Sequence, residues 1–204
     1  MSMFRTLITS LNGGGSILPP EYQQVEYIEG TGTQYINTNF YDAGKTDYEL
    51  NFELTTIAHN YQMLLAAKKK YQSFPKLFSN QDDITTLRLD TSSTNTITNV
   101  SAYTKYKLEV IGNKAYLDGV EKLSFTRGYN TGQYPIWIFN APEEPTLIAA
   151  MKLYHLILYD DSVAVRNFIP CYRKSDNEIG LYDTVNDVFY TNAGTGTFLK
   201  GSDV

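Results

Sequence analysis

The sequence has few of the residues on which many enzyme and metal sites depend. Its single cysteine, Cys171, excludes an internal disulfide and any multi-cysteine metal site. It has two histidines, His59 and His155, and neither lies in a recognisable catalytic or metal-binding motif. A cysteine nucleophile needs a base beside it, whereas a cysteine between Pro170 and Tyr172 is more typical of a small buried side chain. We therefore expect Cys171 to be a buried thiol.

Long apolar runs and positive charge are also scarce. No segment approaches the roughly 20 apolar residues of a membrane span, and the N-terminus lacks a signal-peptide core and cleavage site. We therefore expect no membrane partner and no export by a signal peptide. The net charge is −5 with a pI near 5.0, whereas phosphate binding needs a basic face. We expect no nucleic-acid partner, and we interpret the one basic run, Lys68–Lys70, as a solvated loop or strand end.

Aromatic residues are abundant and the apolar pattern is that of strands. There are 17 Tyr and 10 Phe, which together with Thr favour β-structure. Apolar and polar residues alternate in DYELNFEL (47–54) and YKLEV (106–110), which predicts strands with one buried face. The runs 134–139 and 151–159 are apolar enough to be central strands. Helical periodicity is confined to residues 4–11, so we predict an all-β, two-sheet antiparallel jelly-roll sandwich.

Three turns are predicted between these strands. Asp118-Gly119 is a typical two-residue hairpin turn. Asp160-Asp161-Ser162 is a turn signal because these short polar side chains bond to their own backbone. Thr184 to Asp187 separates two short apolar segments as a third hairpin.

The first 17 residues differ from the rest of the chain. Their apolar residues recur at the spacing of a short amphipathic helix: Phe4, Leu7, Ile8 and Leu11. Gly13 to Ser16 is typical of a flexible linker. Because a two-turn helix is unstable alone in water, we predict that residues 1–17 form a helical or extended anchor. It would dock on a partner or on the domain itself, and residues 18–204 would form the sandwich.

Two similar glycine-rich runs raise the question of phosphate binding. They are GTGTQY at 30–35 and NAGTGTF at 192–198. A dinucleotide loop needs G-x-G-x-x-G between a strand and a helix, and a P-loop needs a following Lys-Ser or Lys-Thr. Neither run has the third glycine or the lysine, and no helix is predicted after either. We interpret them as sheet glycines.

One row of acidic residues invites comparison with a jelly-roll glycosidase. Glu49 and Glu53 share a face of the predicted strand with Asp47 and Asn51. They lie roughly 13 Å apart on an extended chain, whereas a retaining glycosidase needs two carboxyl groups about 5–5.5 Å apart. Asn51 also stands where the Glu-x-Asp-x-Glu row of such enzymes has aspartate. We expect a solvated strand face and no enzyme, with a glycoside hydrolase as an alternative.

Acidic turns are the candidates for metal binding. Asp82-Asp83, Asp90 and Asp160-Asp161 offer oxygen atoms to calcium, but none has the loop spacing of a known cage. We expect no metal site and no cofactor, with calcium as the alternative.

The segment TRGYNTGQYPIW (126–137) concentrates aromatic and amide side chains around a glycine-bearing loop. Sugar rings stack on aromatic side chains, and amides and hydroxyls bind sugar hydroxyls. We expect Trp137 to be a core residue, since it lies in an isoleucine-rich strand, with a ligand platform as the alternative. The predicted glycan-binding residues include two aromatics from the segment 61–78: Arg127, Tyr129, Asn130, Tyr134, Tyr71 and Phe74.

Two stretches resemble the start and end of laminin-G-like, concanavalin A-like jelly-roll domains. They are LPPEYQQVEYIEGTGTQYINTNF (18–40) and RNFIPCYRKSDNEIGLYDTVNDVFYTNAGTGTF (166–198). The segments 106–125 and 151–171 resemble the strand–hairpin–strand and the last long strand of that family. The resemblance implies two antiparallel sheets whose first and last strands lie close together, near the two glycine-rich runs. It also implies glycan binding or a structural role, without catalytic residues.

Such domains occur in phage virion proteins and in surface proteins of gut bacteria. The resemblance and the tail–linker–domain layout imply a non-enzymatic structural protein of a phage virion: a head fibre, capsid decoration, or tail or baseplate component. It would be made in the host cytoplasm and displayed on the virion surface. Residues 1–17 would bind other virion proteins, and the jelly roll would reach host or mucosal glycans. A bacterial cell-surface adhesin is the alternative. A homotrimer would suit a fibre or a decoration, which often have that symmetry, although no heptad is present.

Overall fold

The computed structural model describes most of the chain after residue 16. The described ranges are 17–42, 46–56, 62–67, 76–79 (backbone only), 86–89, 95–127, 134–142 and 149–204. All the regular elements in these ranges are antiparallel β-strands. A helix able to cross a membrane is absent from the same ranges. The predicted anchor residues Phe4, Leu7, Ile8 and Leu11 lie outside the described residues, so the anchor stays a prediction.

The larger sheet has eleven strands. They are β1 (Tyr22–Gln24), β2 (Ile28–Gly30), β4 (Asp47–Leu54), β9 (Lys105–Ile111), β10 (Lys114–Leu117), β11 (Val120–Ser124), β13 (Met151–Asp160), β14 (Val163–Arg173), β15 (Glu178–Asp183), β16 (Val188–Thr191) and β17 (Leu199–Lys200). The main order is β11-β10-β9-β4-β13-β14-β15-β16. In addition, β1 pairs with β14, and β2 pairs with both β13 and β17. Strands from both ends of the sequence therefore meet in this sheet.

The smaller sheet has six strands. They are β3 (Ile36–Tyr41), β5 (Gln62–Ala66), β6 (Lys76–Ser79), β7 (Leu87–Leu89), β8 (Thr96–Ile97) and β12 (Pro135–Ile138). Their order is β3-β12-β5-β6-β7-β8.

The core lies between the two sheets, where the apolar face of each strand points inward. In β4 the buried apolar residues lie on the face that period-two alternation predicts: Tyr48, Leu50, Phe52 and Leu54. They pack in one cluster with Ile36 and Leu65 of the smaller sheet. Complete burial of a side chain such as Phe52 contributes about 1.5–3 kcal/mol. The predicted two-sheet antiparallel sandwich is confirmed.

Trp137 lies on the face of β12 opposite to the core. Its neighbours Ile136 and Ile138 are fully buried in the core, so alternation along the strand turns the indole outward. The ring stacks on Tyr35 with a centroid separation of 4.2 Å and an interplanar angle of 14°. The expectation of a core tryptophan is wrong, because the isoleucines on each side, and not the tryptophan, define the inner face.

The two glycine-rich runs lie against each other and form a seam between distant parts of the chain. The Thr195 amide donates to the Thr33 carbonyl at 3.2 Å, and the Thr33 hydroxyl donates to the Thr195 carbonyl at 2.7 Å. The buried Gln34 amide donates to Thr197 O at 2.9 Å. Its Oε1 accepts from the three preceding backbone amides. The runs are structural, as predicted, although only Gly30 lies within a strand.

The predicted turns are present at the expected positions. Asp118 and Gly119 both have positive φ, 52° and 77°, as a type I′ turn requires, and Leu117 pairs with Val120 to close the hairpin. Asp160 pairs with Val163 across the second turn. Residues 184–187 join β15 to β16 as the third.

A further small cluster covers the outer face of the larger sheet. It consists of Leu18, Ile169, Cys171 and Tyr182, with Tyr22 and Phe189 packed against it. Cys171 is fully buried, as predicted, and burial raises the pKa of its thiol to about 12. A thiol in this state is a poor nucleophile at neutral pH, because the thiolate is the reactive form.

We expect Cys171 to be alkylated by iodoacetamide on the order of a thousandfold more slowly in the folded protein than in urea at pH 8. At that pH the thiolate fraction falls by about this factor when the pKa rises from its usual value near 8.5. Mass spectrometry of timed samples measures the rate. Fast labelling of the folded protein would show that the cluster opens readily.

Candidate functional site

The described residues include two of the six predicted glycan-binding residues. Tyr71, Phe74, Tyr129 and Asn130 lie outside them, so their role stays a prediction. Tyr134 is partly buried and comes immediately before β12. The other described residue, Arg127, is mostly buried and makes an ion pair and several hydrogen bonds.

Arg127 ties the start of β4 to the turn between β9 and β10. Its Nη2 forms an ion pair with Asp47 Oδ1, its Nη1 donates to Thr46 O at 3.0 Å, and its Nε donates to Gly112 O. Asp47 Oδ1 also accepts from the Gly112 amide at 2.9 Å. The side chains are only 11% and 10% exposed. The guanidinium therefore stabilises the junction between the start of β4 and the β9–β10 turn through all three of its nitrogens.

The acidic row on β4 is held in ion pairs. Lys107 Nζ lies 3.3 Å from both Glu49 and Glu109, and Lys152 Nζ lies 2.9 Å from Glu53. The side chains of Glu49 and Glu53 are 21% and 12% exposed, so this face is more covered than the predicted solvated face. The added cover comes from long side chains of β9 and β13 that reach across the row.

Glu53 is also unsuited to act as a catalytic acid. Partial burial raises the pKa of its carboxyl, but hydrogen bonds from Lys152 and from the Tyr154 hydroxyl together outweigh burial and lower it. A glycosidase acid needs a raised pKa, because it must hold a proton at working pH. Glu53 does not meet this requirement.

The described part of the chain holds no group of three or more His, Cys, Asp or Glu side chains that could bind a metal ion. Asp160 and Asp161 form a hairpin turn there. Asp82, Asp83 and Asp90 lie outside the described residues, so calcium binding by them stays untested.

A cleft of about 420 Å³ opens where β8 of the smaller sheet approaches β9, β10 and β11 of the larger sheet. Its apolar lining comes from Ile97, Tyr106, Leu117 and Val120. Val120 is 56% exposed, whereas Tyr106 is held in place because its hydroxyl accepts from the Ser101 amide at 3.0 Å. The apolar part of the cleft thus consists of the fixed Tyr106 ring beside the exposed Val120 side chain.

Polar groups of the cleft come from residues 96–99 and from the β10–β11 hairpin: Thr96, Thr98, Asn99, Asp118 and Lys122. Asp118 Oδ1 accepts from the Lys107 amide at 2.9 Å, which orients the carboxylate. Its Oδ2 makes no hydrogen bond within the described residues. Asn99 is exposed and has a φ of 64°, so a left-handed turn presents its amide. The mixture of a ring, aliphatic carbon and hydrogen-bonding groups is typical of small-ligand sites.

Sequence analysis did not identify these residues as a site. Asp118-Gly119 is recognisable in the sequence as a hairpin turn, but nothing in that pair indicates a ligand site. Residues 96–99 and 117–122 come together because β8 and β11 lie at edges of different sheets that approach each other. No local pattern encodes that approach.

Comparisons with known proteins add little to this geometry. No protein-family model matches the sequence, and no curated protein matches it. Among solved structures, Trypanosoma rangeli sialidase in complex with sialic acid matches with a TM-score of 0.44 at 12% identity, over 71% of this chain and 27% of the sialidase. The covalent intermediate with 2,3-difluorosialic acid matches with a TM-score of 0.45 at 11% identity, over 70% and 26%.

A mutant of the same sialidase that displays trans-sialidase activity matches with a TM-score of 0.41 at 14% identity, over 59% of this chain and 21% of the mutant. The chain thus spans only about a quarter of the length of these proteins. A likeness this weak carries no argument about activity or substrate.

Proposed function

We propose that this chain is a non-enzymatic structural protein of a phage particle, a head fibre, capsid decoration or tail component, whose sandwich binds carbohydrate. The observation that carries the binding role is the cleft between β8 and β9–β11. It presents a fixed tyrosine ring and exposed aliphatic carbon beside an oriented carboxylate and an amide. Carbohydrates have apolar ring faces and many hydroxyls, and this pairing of surfaces matches both.

The ion-paired acidic row supports a binding role over hydrolysis. A glycosidase needs one carboxyl group that keeps its proton and one that is free to attack or to activate water. Glu53 has a lowered carboxyl pKa, and Glu49 lies beside Lys107. Glu53 is therefore unsuited to be the proton donor.

The place on a phage particle is supported by the resemblance of residues 18–40 and 166–198 to virion jelly rolls and by the distinct segment 1–17. Residues 1–17 would bind other virion proteins, and the cleft would remain at the outer surface. Antibodies against the chain would then label intact particles in electron micrographs. Labelling of bacterial cell envelopes instead would support the adhesin alternative.

We expect the full-length protein to bind a subset of sugars on a glycan array, with Kd values that calorimetry can measure. The variant Asn99→Gly should weaken binding about three- to tenfold, because it removes one or two hydrogen bonds to sugar hydroxyls. Glycine accepts the positive φ of this position, so the backbone should remain unchanged.

The matched control is Asn177→Gly. Asn177 is also exposed, with a φ of 60°, but it lies at the turn between β14 and β15. Its replacement should leave affinity unchanged. A blank array with folded protein would contradict carbohydrate binding, and cleavage of arrayed sugars would contradict the non-enzymatic role.

A further inference from the structure

We propose that the cleft binds an acidic saccharide, with the carboxylate of a sugar acid on Lys122 and ring hydroxyls on Asp118 and Asn99. The inference rests on the proposed carbohydrate-binding function and names its ligand class. It starts from a lysine that differs from the other described lysines in its contacts.

Lys122 makes no ion pair, hydrogen bond or ring contact with the residues that the structure describes. The other lysines with described side chains all have a partner: Lys105 lies over the Tyr154 ring, Lys107 lies between Glu49 and Glu109, Lys114 pairs with Glu121, Lys152 pairs with Glu53, Lys174 donates to Pro20 O, and Lys200 pairs with Asp203. Four of these six lysines pair with a carboxylate. Lys122 instead lines the cleft, and its ammonium group has no partner among the described residues.

The strand geometry places this charge beside the rest of the cleft. Lys122 is the extra residue of a bulge in β11, where the pairing with β10 shifts register, and it lines the same cleft as Val120. Val120 directly follows the Asp118-Gly119 turn. A cation, an aliphatic side chain and an oriented carboxylate therefore border one cavity.

This combination favours a ligand that carries both hydroxyls and one negative charge. A simple anion such as phosphate would be repelled by Asp118, and a neutral sugar would leave Lys122 without a counter-charge. A sugar acid donates its hydroxyls to Asp118 Oδ2 and accepts from Lys122 through its carboxylate. Charge-assisted hydrogen bonds of that kind are about twice as strong as neutral ones.

The test measures binding of full-length protein to two matched pairs of sugars by calorimetry. The pairs are digalacturonic acid with its dimethyl ester, and sialyllactose with lactose. In at least one pair we expect the acid to bind about tenfold more tightly at low salt, and the preference to shrink as salt screens the charge. Lys122→Gln should abolish the preference for the acid.

The matched control is Lys114→Gln, which removes the same charge from β10, where Lys114 pairs with Glu121 outside the cleft. It should keep the full preference for the acid. Equal affinity for acid and neutral sugars, or a preference that survives Lys122→Gln, overturns the inference while carbohydrate binding stands. Failure of every sugar on the array and in calorimetry overturns the proposed function as well.

Discussion

Replacing Arg127 by alanine should lower the free energy of unfolding by about 3–5 kcal/mol. Removing one partner of a buried ion pair costs this much, because the other charge stays buried without compensation. Here the stranded group is Asp47, whose carboxylate is 10% exposed. The change also leaves the carbonyls of Thr46 and Gly112 without their guanidinium donor.

Urea denaturation followed by circular dichroism measures this loss. Asp47→Ala should cost a similar amount, and the double variant should cost clearly less than the sum, because the two residues act as one unit. Arg127→Lys keeps the charge but not the three-way geometry, so its loss should be intermediate. An exposed ion pair contributes at most about 1 kcal/mol to the free energy of unfolding. A loss below that value for Arg127→Ala would contradict burial of the Arg127–Asp47 pair.

The same series separates the two roles considered for Arg127. If Arg127 only stabilises the fold, the apparent glycan affinity of Arg127→Ala and of Asp47→Ala should fall only as far as the fraction of folded protein falls. A direct contact would lower affinity in the Arg127 variant alone, under conditions where both variants are folded.

Replacing Gly194 by alanine should lower the free energy of unfolding by about 3 kcal/mol. A Cβ at this position would lie 2.1 Å from the carbonyl oxygen of Thr33 and 3.0 Å from the Tyr35 ring. The first neighbour is backbone, which cannot turn aside, so the seam must separate. Overpacking in a rigid place costs about 1–3 kcal/mol, occasionally more, and hydrogen bonds of the seam would be lost as well.

Thr195→Ala is the matched control for the seam, since Thr195 is exposed and contributes backbone groups to the bonds with Thr33. It should change stability by less than about 0.5 kcal/mol. Denaturation curves of the two variants, measured side by side, decide the point. A Gly194→Ala variant as stable as the control would show that the two runs do not pack as closely as the structure describes.

The fold was largely predictable because its signals are local. Alternation in β4 and β9 specifies which face is buried, and the Asp118-Gly119 turn needs only the two residues that adopt positive φ. Trp137 was assigned to the wrong face, although the same alternation contained the answer: buried Ile136 and Ile138 on one face leave the residue between them on the other.

The cleft was not predictable from the same signals. Asn99, Asp118 and Lys122 belong to different strands or turns, and each has an ordinary structural reading when taken alone. For Arg127 the local sequence pattern pointed to a site, because its aromatic neighbours in the sequence favour a ligand contact. The structure shows instead that its side chain is held in an ion pair with Asp47. Its partner, Asp47, lies 80 residues away, and nothing in the local pattern points to it.

By itself, the sequence determined an antiparallel β-sandwich, three tight turns and a buried cysteine, because strand alternation and turn chemistry act over a few residues. Only the tertiary structure decided that the two glycine-rich runs form one seam, across 162 residues between Thr33 and Thr195. It alone decided that the acidic row is neutralised by lysines and that an unpaired lysine faces a cleft. The physical reason is that these features depend on which sheet edges and faces meet, and burial of the core side chains of both sheets together decides that.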